Sequence, residues 1–118
     1  IIWSGCLEDE EPIVVDTPTY SVDILPTLSN LFGVEFDSRL LVGRDVFSDA
    51  EPLVMWTNYT WLTDKGRYDA RTSTFTPNEG VTVDDGYVKR ITSIVGNKIN
   101  FSKSVISLNY YNILFGNQ

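Results

Sequence analysis

The side chains that most often do chemistry are nearly missing from this sequence. It has no histidine and a single cysteine, Cys6. Without histidine the commonest general acid–base group and the commonest metal ligand are gone. Ser-His and Cys-His hydrolysis are therefore excluded within the chain. One cysteine makes no internal disulfide, zinc cluster or C-x-x-C redox pair. Cys6 also lacks a basic neighbour that would favour its thiolate, so it reads as inert. Carboxylates are plentiful, and Glu8-Asp9-Glu10-Glu11 is the densest run. A calcium or magnesium site needs oxygen ligands wrapped around one point. Four consecutive acids in a turn point apart, so the run reads as a solvated loop.

The remaining candidates are binding groups. Arg44, in Gly43-Arg44-Asp45, is the one candidate for a contact with a substrate phosphate. The competing reading is a turn at Gly43 with Arg44 and Asp45 paired locally. Such surface pairs contribute about 0–1 kcal/mol. Trp56, Tyr59 and Trp61 have rings that stack on sugars, although aromatics of a small sheet more often fill its core. Asn58-Tyr59-Thr60 and Asn100-Phe101-Ser102 match the glycosylation acceptor pattern, which has low specificity at three residues.

Charge is distributed unevenly. The formal net charge is -7, which speaks against a nucleic-acid partner, since phosphate binding needs clustered Lys and Arg. All 16 acids lie in residues 1–85, whereas residues 86–118 hold only Lys89, Arg90, Lys98 and Lys103 as charged groups. One reading is a basic helix lying against an acidic body. The other is a contact with an anionic lipid surface or polymer.

These groups are positioned by a short list of elements. At 118 residues and 42% hydrophobic, the chain has material for one modest core. No apolar run approaches the ~20 residues of a membrane span. Ile1-Ile2-Trp3 has no basic n-region of a signal peptide and reads as a strand entered in mid-course. An acidic turn follows at Leu7–Glu11, then a short strand at Pro12–Val15. A helix is expected from about Val22 to Phe32, with Ile24, Leu25, Leu28, Leu31 and Phe32 at helical spacing. Ser21 or Thr19 would cap it, Pro26 would sit in its first turn, and Gly33 would end it. Leu53–Trp56 reads as a buried strand. Tyr59–Leu62, Arg67-Tyr68 and Ser73–Phe75 read as strands of a meander, with turns at Asp64-Lys65-Gly66 and Asp69-Ala70-Arg71. A long helix closes the chain behind Asp84-Asp85, which suits the positive end of a helix dipole. Its stripe is Tyr87, Ile91, Ile94, Phe101, Val105 and Leu108, widened by Val88, Val95, Ile99 and Ile106. Gly96-Asn97 is the expected place for a break or bend.

One stretch is more specific than the rest. Asp16 through Gly33, and above all Asp23-Ile24-Leu25-Pro26-Thr27-Leu28, resembles the late helix motif of the sulfatase-like enzymes. Asp37 through Ser48, with Gly43-Arg44-Asp45-Val46-Phe47-Ser48, is similar to a loop of the lipoteichoic acid synthase branch. Thr63-Asp64-Lys65-Gly66-Arg67-Tyr68 is like that branch too. The resemblance covers about residues 1–76 and, more loosely, the final helix. It implies a parent with an alkaline-phosphatase-like fold on the extracellular face of a bacterial membrane. The parent would move glycerol phosphate from phosphatidylglycerol onto a polymer, using a divalent metal such as manganese and a threonine nucleophile. No residue here matches the metal or nucleophile motifs, so no catalytic residue, metal ligand or cofactor is assigned to this chain.

The fold expected is α+β. Residues 1–50 would be the closing strand and helix of the sulfatase-like α/β domain. Residues 51–118 would be a subdomain of about four antiparallel strands with a long helix on one face. The function expected is non-catalytic support of the transferase, with the rest of the catalytic domain as partner and anionic lipid or polymer as a second one. Two alternatives stand beside it: a free-standing extracellular module that binds glycan or anionic polymer, and part of another sulfatase-like hydrolase or phosphoethanolamine transferase.

Overall fold

The computed structural model describes residues 11–116. The expected strand at Ile1–Trp3, Cys6 and most of the acidic run lie outside the described residues. The fold is α+β: four antiparallel strands and a long helix.

The sheet is a meander in the order β1 (Val54–Met55), β2 (Trp61–Thr63), β3 (Gly66–Asp69) and β4 (Thr74–Pro77). Register explains its core. Met55 pairs with Trp61, Trp61 with Tyr68, and Tyr68 with Phe75. Directly opposed residues share a face, so one row of large side chains crosses all four strands. The Trp61 ring stacks on Tyr68 with centroids 5.4 Å apart, and Phe75 lies 5.5 Å from it.

Helix α2 (Asp85–Ser107) covers this row. Asp84 caps it, its carboxylate accepting the Tyr87 N–H at 2.7 Å. The residues it buries are Tyr87, Ile91, Val95 and Ile99, a strict four-residue spacing. Ile94 and Val88 flank that stripe, while Ile106 and Leu108 stay in solvent. The inward face is thus turned toward Val95 and Ile99, away from the stripe expected through Phe101 and Val105. The expected break at Gly96-Asn97 is not there, and the helix runs through both residues. Two polar ties fix α2 to the sheet. The Tyr87 hydroxyl donates to Thr63 Oγ1 at 2.9 Å, and the Trp61 indole N–H donates to Thr92 Oγ1 at 3.1 Å. A short α3 (Tyr110–Phe115) follows.

Toward the N-terminal side, a 3-10 turn (Ser21–Asp23) leads into α1 (Ile24–Leu31). Gly33, at φ 63, ends it as expected. The Val34 N–H returns to Ser29 O and the Gly33 N–H to Asn30 O, the bonds of a Schellman stop. The cap differs from expectation. Neither Ser21 nor Thr19 serves; the Asp23 carboxylate reaches back to the Tyr20 N–H at 3.1 Å. Pro12–Val15 forms no strand. Ile13 and Val14 are 78% and 74% exposed, and among the described residues no strand pairs with them.

Candidate functional site

Helix α1 is turned opposite to its apolar pattern. Ile24, Leu25, Leu31 and Phe32 are all more than half exposed, while Asp23, Thr27 and Ser29 are buried. The reason is a polar zipper along one helix face. Asp23, Thr27 and Asn30 stand at i, i+4 and i+7, which places them one above another. Asp23 Oδ1 accepts the Arg44 N–H at 2.9 Å. Thr27 Oγ1 accepts the Val46 N–H at 3.1 Å. The Asn30 amide donates to Asp45 Oδ2 at 2.9 Å. Three successive loop residues are thereby laid on the helix. Gly43 permits the approach, since a Cβ there would meet the Val22 carbonyl oxygen at 2.0 Å.

Arg44 sits in this knot, and its side chain is engaged with the protein. One guanidinium nitrogen donates to the Asp45 carbonyl at 3.3 Å, with Val46 O at 3.5 Å. The other donates to Thr17 Oγ1 at 3.1 Å, with Pro18 O at 3.5 Å. Its Nε is buried without a hydrogen-bond partner. Arg44 thus clamps residues 17–18 to residues 45–46. The expected Arg44–Asp45 side-chain pair is replaced by these carbonyl contacts, because the Asp45 carboxylate is held by Asn30 and the Phe47 N–H.

A cleft of about 160 Å³ separates the knot from α2, lined among others by Asp23, Arg44, Glu51, Ile91 and Lys98. The Lys98 ammonium donates to Val42 O at 2.5 Å. Burial pulls the Lys98 pKa below its ordinary value, with the Asp23 charge opposing. Tyr20 is pushed up to about 12, by burial first and by Asp23 second. On the far side Glu51 meets Arg90 at 3.2 Å and Lys65 at 3.5 Å. Burial alone would raise its pKa; the hydrogen bond and charge of Arg90, with the Tyr87 hydroxyl and the Lys65 charge, together outweigh it and leave it lowered. The charged groups along this cleft are engaged within the fold, Arg44 and Lys98 with carbonyl oxygens and Glu51 with Arg90 and Lys65, an arrangement that holds two parts of a fold together.

The three aromatics singled out in the sequence part company. Trp61 is fully buried, so it is not a sugar platform. Trp56 and Tyr59 remain in solvent at the β1–β2 turn. Tyr59 has φ 68, a left-handed conformation that costs a bulky residue about 1–2 kcal/mol. Lys103 of α2 lies over its ring, 5.5 Å from the centroid, and donates to its hydroxyl at 3.2 Å. Asn58, in the first glycosylation pattern, accepts the Thr60 N–H at 3.1 Å; Asn100, in the second, lies within α2.

Among the described residues no three acidic or cysteine side chains converge on a point where a metal ion would sit. None of the described helices is long and apolar enough to cross a membrane. Comparison with protein-family models, with curated proteins and with solved structures yields no match to this chain. The zipper of Asp23, Thr27 and Asn30 was missed in the sequence. Its signal was there: three polar residues at helical spacing, out of phase with the apolar stripe.

Proposed function

We propose that this chain is the non-catalytic C-terminal portion of an extracellular, metal-dependent phosphoglycerol transferase of the sulfatase-like kind, and that its work is to support the catalytic domain. The observation that carries the reading is α1. Its polar face is zipped to residues 44–46, and its apolar face, Ile24, Leu25, Leu31 and Phe32, is left bare. Scattered surface apolar residues need no explanation, but a helix whose apolar stripe faces outward is built to be covered. The sequence of that helix is the part that resembles the late helix motif of the sulfatase-like enzymes, so the covering element would be the parent's metal-bearing sheet. The divalent metal and the nucleophile would belong to the rest of the parent, and no step of the reaction is assigned to residues of this chain. In this reading Arg44 is a structural clamp.

The test is Phe32→Asp made twice. Phe32 is 74% exposed here, so in the chain alone the substitution shifts stability by no more than about 0.5 kcal/mol. In the parent it would bury a charge, costing several kcal/mol, and transfer of glycerol phosphate from phosphatidylglycerol falls with folded yield. An equal effect in both settings would sink the proposal.

A further inference from the structure

The hairpin tip joining β1 to β2 carries two large rings in solvent, with Trp56 45% and Tyr59 37% exposed. The backbone holds both firmly. The Tyr59 N–H donates to Trp56 O at 2.9 Å, and the Trp56 N–H donates to Thr60 O at 2.9 Å. Asn58 Oδ1 fixes the Thr60 N–H at 3.1 Å. In such a three-residue connection the last position takes up a left-handed conformation and favours glycine. Here that position is a tyrosine at φ 68. Backbone strain of this kind persists where a side chain is needed at that place. Opposite the ring stands Lys103 of α2, and the sequence from Gly86 to Gln118 holds no acidic residue. Its ammonium gives one donor to the Tyr59 hydroxyl and has three in all.

We propose that Trp56, Tyr59 and Lys103 form a subsite for a phosphorylated sugar unit. The rings offer apolar faces to the C–H face of a pyranose, and the free ammonium donors take the phosphate. Two partly exposed rings beside an ammonium with donors to spare suit a phosphorylated sugar better than an acyl chain or a peptide. The subsite stands on the geometry of the tip and of Lys103 beside it. Its failure leaves the support reading intact, and failure of the support reading leaves the subsite intact.

The experiment uses the full 118-residue chain, isotopically labelled and followed by two-dimensional amide NMR. Glucose 6-phosphate, glucose and inorganic phosphate are the probes. The expected result is a saturable shift confined to residues near 56–60 and 103, with Kd of about 1–10 mM for the sugar phosphate. Glucose binds about tenfold more weakly, and Lys103→Gln removes that preference. Trp56→Ala weakens binding at least about tenfold. Tyr59→Gly does the same while raising the melting temperature, because glycine relieves the strained φ. This last pairing separates a binding role from a structural one. No shift at about 20 mM sugar phosphate, shifts spread elsewhere, or undiminished binding by Tyr59→Gly would each overturn the proposal.

Discussion

Replacing Gly96 or Gly33 by alanine is the same chemical change in the same kind of space, and the two should move stability in opposite directions. A Cβ at either position meets nothing within 4 Å, so packing contributes nothing to either result. Gly96 lies within α2 with ordinary helical φ, and alanine there is better than glycine by about 0.8–1 kcal/mol. Gly33 holds φ 63 at the stop of α1, where alanine pays about 1–2 kcal/mol of steric strain, partly offset by the smaller entropy of the unfolded chain. For 118 residues the unfolding entropy near the midpoint is about 0.25 kcal/mol per kelvin. Gly96→Ala should therefore raise Tm by about 4 °C and Gly33→Ala lower it by a similar amount. Calorimetry or thermal circular dichroism reads both. If Gly96→Ala leaves Tm unchanged or lowers it, the helix does not run through residue 96. The burial of Val95 and Ile99 on one face would then be wrong as well.

Three further outcomes follow from the knot and the cleft. Asp23→Asn keeps one acceptor but turns an amide toward an N–H donor, so it loses one of the bonds from Tyr20 and Arg44; urea unfolding should show a loss of about 1.5–3 kcal/mol, and a loss below about 0.5 kcal/mol would contradict the zipper. Glu51 has a folded pKa below its unfolded one, so its contribution is present above the unfolded value and disappears as pH falls through the folded one. The pair is partly exposed, and screening limits it to about 0.5 kcal/mol; the stability difference between wild type and Glu51→Gln should vanish in acid. Lys98 also has a lowered folded pKa, and the slope has the same sign, although here burial of the ammonium is a penalty at low pH rather than a gain at high pH. The unfolded chain holds the proton more tightly, so stability gains as pH rises from the folded value toward the ordinary lysine value, and Lys98→Met should remove that gain.

The sequence announced the C-terminal half well, for physical reasons. Strands around Asp64-Lys65-Gly66 are separated by turn chemistry that acts locally, and Asp84 caps a helix whose buried apolar residues recur every four residues from Tyr87 to Ile99. Trp61 could be read as core or platform, because ring type does not say which face of a strand is covered. Register settles it by setting Trp61 between Met55 and Tyr68. The break expected at Gly96-Asn97 failed because propensity is a weak term against four buried apolar side chains on one helix face.

In the N-terminal half helix α1 was legible but not its orientation, and the strand expected at Pro12–Val15 does not form. The start and stop of α1 follow from Pro26 and Gly33. Which face turns inward depends on what the helix packs against, and here residues 44–46 claim the polar face. The Arg44 clamp was hidden for a similar reason: Thr17 and Pro18 are distant in sequence, and their contact with the guanidinium exists only after the loop has closed.

Mass-spectrometric sequencing of the native polypeptide on the N-terminal side of Ile1 tests the central claim most directly. An Asp-His pair is expected a short distance upstream, with a threonine-centred metal motif farther up. A signal peptide ending immediately before Ile1 would contradict it, since the bare face of α1 would then have no catalytic domain to support.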